Sequence, residues 1–187
     1  MAYDSTATKE RILTAAAAEF AAHGVAGARV DRIAASAQAN KRAIYDYFGD
    51  KDGLFAAVLE RLMADLAEAV PPGDDDLASY AERLFDHHRA HPQALRLLLW
   101  EALERGDGAV PGEDARRNHY EDKLRAVRTT EGDEDPRTRL FLALGLVGWS
   151  LAMPQVRRMI LGPDEDLDRL RSDISRAVRA LPRPDHT

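Results

Sequence analysis

A chain of 187 residues, 45% of them hydrophobic, with a net charge of −6, has the apolar material for a real core and is too rich in it to be disordered. The absence of cysteine excludes disulfides, thiolate metal sites and cysteine nucleophiles. No apolar run is long enough to span a bilayer, "LFLALGLVGWSLAM" (140–153) coming nearest, and Glu19 interrupts the Ala-rich N-terminal run that might suggest a signal peptide. A cytoplasmic protein without a membrane partner is expected.

Apolar residues recur at helical spacing almost throughout. Thr8 is placed to cap a first helix with Ile12, Ala16 and Phe20 on one face, and Gly24 to end it. A second short helix runs from Val30 to about Ala37, with Val30, Ile33 and Ala34 inward. After a turn at Gln38 and Ala39, Asn40 caps a third over Lys41–Tyr47, which Gly49 breaks. Asp50 caps a fourth, whose stripe runs through Leu54, Phe55, Val58, Leu59, Leu62, Met63 and Leu66 to "PPGDDD" (71–76).

The second half reads the same way. Leu77, Tyr80, Ala81, Leu84, Phe85 and His88 mark a fifth helix, stopped before Pro92. Pro92 opens a sixth, which ends at Gly106; Leu97 and Trp100 make it apolar nearly all round, so it is expected to be central. A charged helix (113–128) and the loop "TTEGDED" follow. Asp135-Pro136 opens a long helix to about Met153, Pro154 restarts the chain into "QVRRMIL", and Asp164 opens a last helix to about Leu181. Leu140, Leu144, Val147 and Leu151 form one stripe, and Leu167, Leu170, Ile174 and Val178 another; Gly145 and Gly148 would allow close approach. Two such helices per subunit are expected to build a four-helix dimer interface. The fold class is all-α, with no repeat: a three-helix helix-turn-helix domain (1–53) and a helical domain (54–187).

Residues 30–47 read helix, short turn, helix, the arrangement that lays its second helix in the DNA major groove. Ile44 and Phe48, four apart, would anchor that helix, while Lys41, Arg42, Tyr45 and Tyr47 reach bases and phosphates. Lys51 opens the next helix, where the amides and the dipole favour a phosphate. Spacing alone equally allows solvated charges on a short core helix.

From Thr8 to about Glu60 the sequence resembles the DNA-binding domain of the tetracycline-repressor (TetR) family. "TKERILTAAAAEFAAHG", "VDRIAASAQANKRAIYDYF" and "GDKDGLFAAVLE" carry the likeness, and "YDYF" followed by "DKDGLF" is its most specific part. The resemblance implies an all-helical homodimer that regulates transcription: a repressor that a small apolar or aromatic effector releases from a roughly palindromic double-stranded operator. It places Lys41, Arg42, Ala43, Tyr45 and Tyr47 towards the groove and Lys51 on a phosphate. Arg29 departs from the family pattern, standing where a capping threonine or serine is common, as do Arg42 and Ala43, so base preference does not carry over.

The resemblance also implies an effector pocket in the C-terminal domain. Met63, Tyr80, Phe85, His88, Trp100 and Trp149 are its candidates, although residues of these types are more often plain core than pocket lining. His88 is the polar candidate, with His119 and Tyr120 behind it. His87 and His91 have metal-ligand spacing, yet no HExxH motif accompanies them, and no cofactor is expected. No P-loop, GxSxG or dinucleotide fingerprint suggests an enzyme. The alternative to an effector-controlled regulator is one that binds DNA constitutively or under a protein partner's control. Residues 1–55 carry seven charges of each sign, so the whole excess of −6 lies beyond them.

Overall fold

The computed structural model describes residues 5–71, 76–131 and 135–182, and none of these is in a strand. Parts of "PPGDDD" and "TTEGDED", at 72–75 and 132–134, lie outside the described residues. The helices form two compact units. One comprises the chain up to Asp65 together with Arg96–Glu113; the other comprises Leu66–Leu95 and the chain from Asp114 on. This division differs from a single cut after residue 53.

In the first unit, α1 (Ser5–Gly27) starts earlier and ends later than its periodicity predicts. Thr8 therefore caps nothing: it is buried inside the helix, and its hydroxyl accepts from Arg11 Nη2 at 3.2 Å. Gly24 kinks the helix without ending it, at φ 67°. That left-handed angle favours glycine, and the Trp100 ring lies 3.0 Å from where a Cβ would stand.

α2 (Val30–Ser36) receives no cap from Arg29's side chain. Its cap comes from α1 instead. Glu19 Oε1 accepts from the Arg29 amide at 2.9 Å and from Arg32 Nε at 2.8 Å. The hydrogen bond from Arg32 is the main reason the Glu19 carboxyl is held below its ordinary range.

α3 (Lys41–Phe48) is capped as its sequence predicts, Asn40 Oδ1 accepting from the Arg42 amide at 2.9 Å. Gly49, at φ 79°, ends it. α4 (Lys51–Ala69) begins at once, with Asp50 Oδ1 accepting from the Gly53 amide at 2.7 Å. A Cβ on Gly53 would stand 2.2 Å from the Phe48 carbonyl oxygen, so this turn requires glycine. The rings of Phe20 and Phe55 meet edge-on at 5.1 Å, within a cluster that includes Ile12, Ile33, Ile44, Leu54 and Leu59.

α6 (Pro92–Arg105) lies in this unit from Arg96 on. Leu97 is fully buried, but Leu99 and Leu103 are exposed, so the helix has an outer face and is not enclosed all round. Arg96 Nε donates to the Ala21 carbonyl at 3.0 Å, and Glu104 Oε1 accepts from the Val25 and Ala26 amides at 3.0 and 3.3 Å.

The second unit is built on α5 (Leu77–Ala90), α8 (Arg137–Ala152) and α10 (Leu167–Arg179), which pack on one another. Asp76 caps α5 by accepting from the Ser79 amide at 2.8 Å. Asp166 caps α10, two residues later than expected. Three ion-pair sites bridge α5 and α10: Asp76–Arg179 at 3.3 Å, Glu82 and Asp86 with Arg171 at 2.9 Å each, and Arg89–Asp168 at 2.6 Å. Their descending order along α10 makes the two helices antiparallel.

The predicted dimer stripes are corrected here. Leu140, Val147, Ile174 and Val178 are buried within the subunit, on helices that pack against α5, whose own Leu77, Leu84 and Phe85 are buried too. α7 (Glu113–Glu131) runs past the expected Arg128. α8 gives way at Met153 to α9 (Pro154–Leu161) with a bend of 86°. Among the described residues no single helix is long and apolar enough to cross a membrane.

The Glu19 cap generates a test. Glu19→Gln is expected to lower stability near neutral pH by about 1 kcal/mol, the usual worth of a helix cap. The folded carboxyl titrates below its unfolded value of 4.5. Its contribution is therefore complete above 4.5 and is lost as pH falls through the lower folded value. Urea unfolding of both proteins should show the gap at pH 7 and a smaller one at about pH 3.5; a gap independent of pH would contradict this role.

Candidate nucleic-acid interface

α3 has one buried side chain, Ile44, at 1% exposure. With 3.6 residues per turn, anchoring at Ile44 and half-burying Phe48 turns Lys41, Arg42, Tyr45 and Asp46 outward. Ala43 and Tyr47 are half-buried at the margins of that face. The turn before α3 is held by the Ala39 amide donating to the Ala34 carbonyl at 3.0 Å and by Arg11 Nε donating to the Ala37 carbonyl at 3.1 Å. Gln38 sits there at φ 51°.

The outward charges are loosely engaged. Lys41 Nζ pairs with Asp31 at 2.8 Å and Arg42 Nε with Asp46 at 3.8 Å, both pairs open to solvent. Such pairs contribute little, so a phosphate or a base edge can take either cation from its partner. Asp46 answers Arg42 within the helix. Tyr47 is held by Lys9, whose Nζ lies 5.1 Å from its ring centroid, and by Phe48 edge-on at 6.2 Å. Lys51 Nζ donates to the Ala26 carbonyl at 3.4 Å, which parks the ammonium beside the first turn of α4. Sequence reasoning missed Lys9, Asp31 and Arg11, because each meets its partner from a different helix.

The six effector candidates are not brought together in one unit. Met63, half-buried on α4, and Trp100, against Gly24, belong to the first unit. Tyr80, Phe85 and His88 are buried on α5 in the second. Trp149 is 60% exposed. It lies on the outer face of α8, because the inner face is occupied by Leu140, Ala143 and Val147, so it does not line an interior site.

Tyr80 has a partner that the sequence did not suggest. Its hydroxyl accepts from the buried Lys123 Nζ at 2.5 Å. Burial pushes Lys123 down to about 8 and the Tyr80 phenol well up. Burial, with His87, Lys123 and His91 adding to it, pushes His88 down to about 4. The only sequence signal was spacing, His119, Tyr120 and Lys123 sharing one face of α7. The rings of His87 and His91 meet at a tilt of 40° with centroids 4.7 Å apart, and among the described residues no group of three His, Asp or Glu could hold a metal ion.

Comparison with known proteins agrees over most of the chain. Residues 12–58 match "Bacterial regulatory proteins, tetR family", and residues 76–180 match "Tetracyclin repressor-like, C-terminal domain". The chain is 47% identical to the HTH-type transcriptional repressor SCO4008 of Streptomyces coelicolor, over 96% of this chain and 97% of that protein. It is 33% identical to the HTH-type transcriptional repressor Rv3405c of Mycobacterium tuberculosis, over 92% of this chain and 88% of that one. The crystal structure of SCO4942 from Streptomyces coelicolor superposes with a TM-score of 0.77 at 35% identity, covering 95% and 99% of the two chains. The chain therefore belongs to the TetR family, whose members are DNA-binding transcriptional regulators and not enzymes.

Proposed function

We propose that this protein is a cytoplasmic homodimeric repressor that lays α3 in the major groove of a roughly palindromic operator and leaves it when a small effector binds the second unit. The observation that carries the reading is the outward face of α3, with Lys41, Arg42 and Tyr45 exposed around a single buried anchor, Ile44. Arg42 reads base edges, and Ala43 lets the backbone approach the groove wall. Lys41, Tyr45, Tyr47 and Lys51 hold phosphates. The names of the two repressor relatives support repression.

Dimerisation is supported by the outer face of α8. Phe141 and Trp149 are 75% and 60% exposed, Leu142 lies beside them, and a Cβ on Gly145 would meet nothing within 4 Å. Met159, Ile160 and Leu161 of α9 are exposed as well. Residues of this size left open on one side are the mark of an interface. A two-fold dimer asks for two-fold DNA.

Tyr80, Phe85 and His88 are the proposed effector contacts. Met63 and Trp100 are assigned to the response, because α4 and α6 each have residues in both units. α6 ends on the segment just before α2, through Trp100 at Gly24 and Glu104 at the amides of Val25 and Ala26. An effector can move the equilibrium only by its differential affinity, so DNA and effector must oppose each other reciprocally.

Selection from random DNA is expected to return an inverted repeat, and the absence of one would contradict two-fold binding. On the selected site, Lys51→Ala should weaken binding about equally for all sequences and lower the salt slope by about one unit. Arg42→Ala should instead change which sequences are preferred; the opposite assignment would overturn this division of roles.

A second test addresses the dimer. Phe141→Arg with Trp149→Arg should leave the helical circular dichroism intact and give monomers by sedimentation, with operator affinity down by roughly a hundredfold or more. A double variant that stayed dimeric would place the interface elsewhere.

A further inference from the structure

The second unit buries a cation that no acid balances among the described residues. Lys123 is 4% exposed, and its one hydrogen bond is to the Tyr80 hydroxyl. Its Nζ also lies 5.0 Å from the Tyr80 ring centroid and 5.7 Å from that of Tyr120. Among the described residues no carboxylate pairs with it. The acids beside it in sequence are engaged elsewhere, Asp122 with Arg125 at 2.9 Å and Glu121 with Arg137 at 3.8 Å. Two imidazole nitrogens near this ammonium, His88 Nδ1 and His119 Nε2, are buried and have no partner.

Hydrogen-bond accounting makes the cluster short of acceptors. An ammonium has three donors, and the Tyr80 oxygen takes one of them. The phenol brings a proton of its own, and each neutral imidazole brings one N–H and one acceptor nitrogen, so donors still outnumber acceptors. Burying a charge and several polar groups unpaired is costly, and a matching group of opposite charge removes most of that cost.

We propose that Lys123, Tyr80, His88 and His119 form a receptor for the carboxylate of a small organic acid with an apolar body. This rests on the effector reading above and gives that effector a chemical class. A carboxylate carries about four lone-pair positions on two oxygens, all acceptors, which is what the cluster lacks. Lys123, brought down by burial to about 8, still keeps most of its charge at neutral pH. His88 and His119 are both lowered by burial and are neutral there, so they act as donors without adding charge. Phe85, fully buried on α5 between Tyr80 and His88 in sequence, contributes to the apolar surroundings.

The test uses the full-length protein with its selected operator. Hexanoate, octanoate, benzoate and phenylacetate are each compared with their own primary amides by calorimetry and by operator release. At least one carboxylate is expected to bind roughly tenfold or more tighter than its amide. Lys123→Met should remove that preference, and Lys123→Arg should keep it. An intermolecular NOE from the bound acid to the ring protons of Tyr80 or His88 places the ligand independently of any variant's folding. Equal binding of acids and amides, binding of no acid, or an unchanged preference in Lys123→Met would overturn the proposal. If an amide then released operator, the effector reading would stand and only the acid class would fall. Acid binding at the NOE-defined site without operator release would support the receptor and overturn the effector reading.

Discussion

An eight-residue helix cannot hold itself together in water, and the function of this protein depends on one. α3 exists because its surroundings impose it. Ile44 inserts into the core that Phe20 and Phe55 organise, Asn40 closes one end, and Gly49 closes the other. Gly53 lets the Phe48 carbonyl come close enough for α4 to start three residues later. The rest of the first unit is the frame for this placement. Glu19 fixes α2 from α1, Arg11 fixes the turn, and the end of α6 grips the kinked end of α1.

That constraint explains how an acidic protein can present a DNA-reading surface. Charge is balanced over residues 1–55, so the attraction is local and not global. Lys41, Arg42 and Tyr45 project because the opposite side of α3 is committed to the core. Their acidic partners, Asp31 and Asp46, are themselves exposed and weakly held, so they serve as stand-ins that a phosphate can replace. The second unit inverts this arrangement, with a cation inside that meets no acid among the described residues.

What was legible in the sequence was what is local. Asn40 and Asp50 cap helices within three residues of themselves, and each is readable from position alone. Thr8 looked equally good, but α1 begins before it, and a cap cannot be recognised without knowing where the helix starts. Arg29 looked like a defect because its remedy, Glu19, comes from another helix. The α8 stripe of Leu140 and Val147 reads as an apolar face that something must cover. Periodicity does not say what covers it, and the answer was the protein's own α5 and α10. The open face at Phe141 and Trp149 was masked because α8 is apolar on both sides. Lys123 escaped notice because a lysine on a charged helix reads as surface.

The central claim is that Ile44 delivers the reading face of α3, and it can be measured without touching a DNA contact. Ile44→Ala removes the anchor, worth roughly 2–5 kcal/mol in a packed core, and leaves Lys41, Arg42, Tyr45 and Lys51 in place. Amide hydrogen exchange followed alongside operator affinity is expected to show loss of protection in residues 41–48, retained protection in α5 and α10, and a large fall in affinity. Wild-type operator affinity in Ile44→Ala, with residues 41–48 unprotected, would contradict the account.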